Sequence, residues 1–227
     1  MPLSPGFRCA LLATALAAVL PSIAAAGNFR LLRVDGVNVK WDEPILGHGA
    51  VVSYGFSAAA VSFPGATNCG ALAPMSGLAA AWQRDPARLE AVAEAAVGMW
   101  SRAADVRFRA AAPGETPDIL IGAQGVPKGI AFADVWHGPS ERGVAPITRA
   151  AVCFNPDVAW TTEDGPTPPN VYDLATVLAH EIGHALGLDH PGPRGALMAY
   201  SNQGPIDALM PGDVEGAVLL YGPASRH

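Results

Sequence analysis

Residues 180–190 read His-Glu-Ile-Gly-His-Ala-Leu-Gly-Leu-Asp-His, and no other stretch constrains the chain as strongly. On a helix His180 and His184 are one turn apart, so both imidazoles project from one face. Two nitrogens so placed suit one Zn²⁺, at roughly 2.0–2.1 Å each. Glu181 points elsewhere, within reach of a metal-activated water as general base. Gly187 lets the chain leave the helix through a left-handed turn that a residue with Cβ resists. That turn returns His190 as a third ligand, and a catalytic zinc takes three protein ligands with one position open.

The spacing HExxHxxGxxH followed by a methionine turn resembles the signature of the metzincin zinc endopeptidases. The methionine lies in Ala196-Leu197-Met198-Ala199-Tyr200, eight residues after His190. That short interval is similar to the matrixins. Tyr200 resembles instead the astacins and serralysins, where a tyrosine two after the methionine binds zinc and swings to stabilise the transition state. His190-Pro191-Gly192 is serralysin-like, and Asp213–Gly222 resembles the closing helix of matrixins and serralysins. The whole is similar to a compact, bacterial-type matrixin. The resemblance implies an α+β catalytic domain: a twisted mixed sheet, a backing helix, an active-site helix, and a small C-terminal subdomain ending in a helix. It also implies an apolar floor at Met198 beneath one catalytic zinc.

Two features depart from matrixins. Their second, structural zinc uses histidines where this chain reads Ile130-Ala131-Phe132-Ala133 and Cys153-Phe154-Asn155. That zinc is expected to be lost, and His137 alone, read as a solvated loop residue, does not replace it. The Pro-x-Tyr wall beside the matrixin specificity pocket is replaced by Tyr200 and Asn202, so matrixin preferences do not transfer. The strand at Asp118–Ile121 resembles a matrixin strand whose aspartate can bind calcium, but a plain strand-end aspartate fits equally well, and no clear calcium site is readable.

A chain of 227 residues suffices for one domain with a sizeable core. Its formal charge of −6 leaves no basic stripe for nucleic acid. With 15% charged residues, 25 Gly and 21 Pro, a loop-rich surface is expected. Residues 1–26 read as a secretory signal: Arg8, an apolar run of 12 from Cys9 to Leu20, then Ala24-Ala25-Ala26. The run is too short to span a bilayer, and no second one follows. A secreted or periplasmic domain at 27–227 follows, off the membrane and monomeric. Export leaves Cys69 and Cys153, an even pair where disulfides form. A Cys69 thiolate capping the zinc is the alternative, although Cys69-Gly70 lacks the flanking pattern of matrixin propeptides.

Hydrophobic patterning predicts strands at 31–41, 50–56, 106–109, 118–121, 129–136 and 151–155, with loops at 137–149 and 161–169. Residues 57–85 read as an insertion loop without a sustained period. A helix is predicted over Pro86–Ala104, with Leu89, Val92, Ala96 and Trp100 on one stripe. The active-site helix is expected from Val171 to Leu186, capped by Asn170 with Asp173 three residues on. Its Leu174, Val177 and Leu178 should face inward. The expected reaction is hydrolysis of a peptide or protein substrate lying extended along the Ile130–Val135 edge. The rival is a secreted, zinc-stabilised binding module without catalysis.

Overall fold

The computed structural model describes residues 28–75, 86–162, 165–201 and 204–225. The leader at 1–26, residues 76–85 of the insertion, and Asn202 lie outside them. The 31–41 run, expected as one strand, is three short ones: β1 (Arg30–Leu31), β2 (Arg33–Val34) and β3 (Val37–Trp41). Asp35 and Gly36 both have positive φ, 50° and 83°. This is the turn that an Asp-Gly pair makes between antiparallel strands, and it joins β2 to β3.

β4 (Ala50–Phe56) follows, then β5 (Val61–Ser62) and β6 (Ala71–Ala73). The insertion is therefore not merely a loop: β5 and β6 form an antiparallel hairpin within it. Helix α1 (Pro86–Ala103) leads into β7 (Val106–Ala110), β8 (Ile119–Gln124), β9 (Ala131–His137) and β10 (Val144–Phe154). β11 (Ala159–Thr161), β12 (Val171–Asp173), α2 (Leu174–Ala185), β13 (Leu188–Asp189) and α3 (Pro211–Tyr221) complete the elements of the described residues.

The main sheet is mixed. Its path runs β2-β3-β10-β8-β4-β7, with β9 antiparallel beside β10 and β6 antiparallel beside β8. The 137–149 segment, expected as a loop, is mostly β-structure, pairing from His137↔Ile147 to Ala131↔Phe154. Arg142 and Gly143, again at positive φ (51° and 84°), lie in the turn between these strands. The glycines and prolines here mark one tight turn and not a long loop.

α1 buries Val92, Ala93, Ala96, Val97 and Trp100. The Trp100 indole N–H donates to Ala179 O at 2.9 Å, tying α1 to α2. Residues alternate across β9 and β10 as strand geometry requires. Ala131, Ala133, Val135, Ala150, Val152 and Phe154 face the main core with α2. Phe132, Trp136, Ala151 and Cys153 face the other way, onto Phe63, Cys69 and Leu72 of the insertion.

The start of α2 corrects the sequence reading. Asn170 does not cap it but sits at φ 62°, and Val171–Asp173 pair in parallel with β11. Asp173 is the N-cap, its carboxylate accepting from Thr176 N at 2.7 Å. Pairing with β11 keeps 171–173 extended, so the helix begins three residues late. Leu174 and Leu178 are core, whereas Val177 is only half-buried and borders the cleft.

Candidate metal centre

α2 carries His180 and His184 toward the cleft, and the chain turns at Gly187 (φ 102°) to bring up His190. A Cβ on Gly187 would meet Val39 O at 2.1 Å, so the turn needs glycine for space as well as for dihedral. The three Nε2 atoms lie 3.0, 3.1 and 3.1 Å from one another. A tetrahedral zinc with bonds near 2.0–2.1 Å would ask for roughly 3.3–3.4 Å between ligand atoms, a difference of a few tenths.

The tautomers follow from the partners. His180 Nδ1 lies 2.7 Å from Leu197 O, and His184 Nδ1 lies 2.8 Å from Leu188 O. A carbonyl only accepts, so each Nδ1 carries the proton and each Nε2 presents a bare lone pair. Burial lowers the His180 imidazole to about 4 and the His184 imidazole well below its usual range. Burial lowers His190 too, with Asp189 opposing. Neutral rings whose lone pairs converge repel one another unless a cation sits among them. The donor set therefore fits Zn²⁺, and the carbonyls behind the rings supply the outer partners that orient metal-binding histidines. Among the described residues this is the one cluster of three or more His, Cys, Asp or Glu placed to share an ion.

Glu181 is 5% exposed. Its Oε2 has no hydrogen-bond partner, and the side chain lines the cleft. Burial alone pushes its carboxyl up to about 8. A dication beside it would act in the opposite sense, favouring the carboxylate. An orphaned buried carboxyl is costly to keep for structure alone.

Met198 is buried against the backbone of α2 at Gly183, where a Cβ would come within 2.2 Å of the Met198 sulfur. Gly183 is thus the seat of the methionine turn, a role invisible in the helical pattern. The turn is also held by Asp213, 1% exposed, which sequence analysis missed. Its carboxylate accepts from Leu197 N (2.7 Å), Met198 N (3.1 Å) and Met210 N (2.9 Å). The only available signal was an acidic residue in the first turn of α3.

The cleft, about 470 Å³, is bordered by Gly129–Ala133, Tyr172, Thr176, Val177, the three histidines, Tyr200 and Ile206. β9 pairs with β10 on one edge, and its start borders this cleft. Tyr200 is 64% exposed, its ring centroid 6.3 Å from that of His190. Cys69 and Cys153 are joined in a disulfide on the sheet face away from α2, remote from a role as a metal cap. Asp118 accepts from Ser53 N (2.8 Å) and Ser53 Oγ (2.7 Å), a strand-end anchor. His137 is not the solvated loop residue expected: it ends β9, its Nδ1 2.7 Å from Gly138 O and its Nε2 3.4 Å from Asp35.

The matrixin peptidase profile matches residues 79–222. Matrix metalloproteinase-19 of Mus musculus is 33% identical over 144 residues, covering 61% of this chain and 26% of its own length. Matrix metalloproteinase-20 of Homo sapiens is 34% identical over 140 residues, covering 57% and 27%. Matrix metalloproteinase-18 of Xenopus laevis is 41% identical over 76 residues, covering 32% and 15%. The chain thus spans between 15% and 27% of the length of these relatives.

Proposed function

This chain belongs to the matrixin family, and from that premise we propose that it is a zinc-dependent endopeptidase in which His180, His184 and His190 hold the metal and Glu181 is the general base. Held by His180, His184 and His190, Zn²⁺ would supply Lewis acidity toward the scissile carbonyl and would acidify the attacking water. Glu181 then accepts the proton of the attacking water at Oε2 and passes it to the leaving amine. The Tyr200 hydroxyl, free to turn at the rim, donates to the developing oxyanion. Substrate lies extended along β9 and adds to that edge by backbone hydrogen bonds. Met198, buried against Gly183 of α2, provides the apolar floor of the site.

The observation that carries this reading is the buried, unpartnered Glu181 Oε2 beside three convergent imidazole lone pairs. A purely structural zinc has no use for such a base and tends to close its fourth position, which counts against the binding module. Secretion is part of the proposal, supported by the leader-like 1–26 sequence and the Cys69–Cys153 bond. No helix among the described residues is long and apolar enough to cross a membrane. The test is hydrolysis of casein or gelatin by purified protein with and without phenanthroline. Chelator-sensitive cleavage is expected; zinc-loaded protein that cuts neither substrate would overturn the proposal.

A further inference from the structure

The four residues that follow the second histidine, Ala185 to Leu188, have every carbonyl engaged. A helix ends with carbonyls that have no partner inside it, and here Ala185 and Leu186 are both fully buried. Two distant aromatic residues reach them. Trp41, at the end of β3, donates its indole N–H to Ala185 O at 2.7 Å. Tyr221, the last residue of α3, donates its hydroxyl to Leu186 O at 2.6 Å. The same hydroxyl accepts from Trp41 N at 3.0 Å, joining the two into one unit.

The remaining carbonyls complete the turn. Gly187 O accepts from Leu32 N at 2.8 Å, and Leu188 O faces His184 Nδ1. Lys40 braces the unit from behind. It is fully buried, donates to Trp41 O and Glu43 O at 2.7 Å each, and lies 5.1 Å from the centre of the Tyr221 ring. Nothing in the zinc chemistry uses Lys40, Trp41 or Tyr221, yet Trp41 and Tyr221 converge on the turn that decides where His190 stands, with Lys40 packed behind them.

We propose that Trp41 and Tyr221 are positioning residues of the metal centre, fixing the 185–188 turn so that His190 stays closed on His180 and His184 and metal release is slow. The proposal rests on the zinc reading above. α2 positions His180 and His184 through its own helical bonds, but His190 lies beyond the helix, directly after the two-residue β13. Without the caps, two buried carbonyls would seek other partners and the turn would relax, moving the third ligand first.

The test compares zinc-loaded wild-type protein with Tyr221→Phe, Trp41→Phe and a control, Val106→Ala. Val106 is a fully buried residue of β7 that caps neither carbonyl. Zinc transfer to a chromogenic chelator is timed well below each protein's melting temperature. Loss of a group bonded directly to a metal ligand weakens metal binding by about 10–100-fold. Tyr221 acts on the turn before the ligand, so Tyr221→Phe should release zinc at the low end of that range, roughly tenfold faster. Trp41→Phe should act in the same direction, and the double variant should fall short of the product of the two. Val106→Ala should lower the melting temperature yet release zinc at the wild-type rate. Wild-type release by folded Tyr221→Phe or Trp41→Phe overturns the proposal, as does acceleration in all variants that merely follows melting temperature. If one variant does not fold, the other decides. Wild-type protein that retains no zinc would instead sink the metal reading, and the clamp with it.

Discussion

The two faces of the β9–β10 ladder are secured by opposite means. On the inner face, α2 and the metal centre rest on a large continuous core, and hydrogen bonds to backbone carbonyls orient His180 and His184. On the outer face, among the described residues, the insertion covers a small cluster built on five buried residues. There the Cys69–Cys153 bond and the Asp134 carboxylate, which accepts from Asn68 N and Cys69 N at 2.7 Å each, hold the hairpin down. A small apolar cluster cannot repay the ordering of a long segment, so a cross-link stands in for the missing area. The histidine cluster sits where packing is abundant, and the covalent cross-link where it is scarce.

The sharpest break falls on the inner face. Glu181→Ala should keep its zinc and lose about 10²–10⁴-fold in peptide hydrolysis, the usual contribution of positioned proton transfer. Metal analysis alongside peptide kinetics checks this, and near-wild-type cleavage would remove Glu181 as the base. The matching break on the outer face is the double variant Cys69→Ser/Cys153→Ser. It should lose about 2–4 kcal/mol in denaturant unfolding while its zinc content is unchanged. Zinc loss on reduction would show that the two faces are coupled and the contrast false.

Asp134→Asn is expected to destabilise by about 1–3 kcal/mol, since an amide replaces a charged acceptor of two backbone N–H groups. Its effect should shrink in the disulfide-free background, because both tie down the same hairpin. The smallest effect belongs to Tyr200→Phe. Its kcat should fall about tenfold with KM little changed, which would mark an interaction made only in the transition state. An unchanged kcat would leave Tyr200 as a wall of the cleft.

Much of the centre was legible because its parts are close in sequence. His180, Glu181, His184, Gly187 and His190 span eleven residues, and helix periodicity with one glycine turn suffices to converge them. The supports were not legible. Trp41 lies 144 residues from Ala185, Tyr221 lies 35 from Leu186, and Asp213 lies 16 from Leu197. An aspartate in a first helical turn reads as a dipole partner, and only the fold carries it under the methionine turn. The misplaced cap has the same origin. Asn170 is a sound cap by local preference, but β11 pairs with 171–173 and hands that role to Asp173.

Local spacing alone was enough to converge the three histidines, to set Glu181 beside them, and to place the glycine turn. Each depends on local spacing and on backbone limits that hold wherever the segment sits. Tertiary structure alone decided which carbonyls lock the imidazoles, which aromatic residues hold the turn before His190, and which sheet face the insertion covers. Those choices rest on satisfying buried polar groups, and a buried carbonyl takes its partner from whichever chain segment the folded core brings within reach.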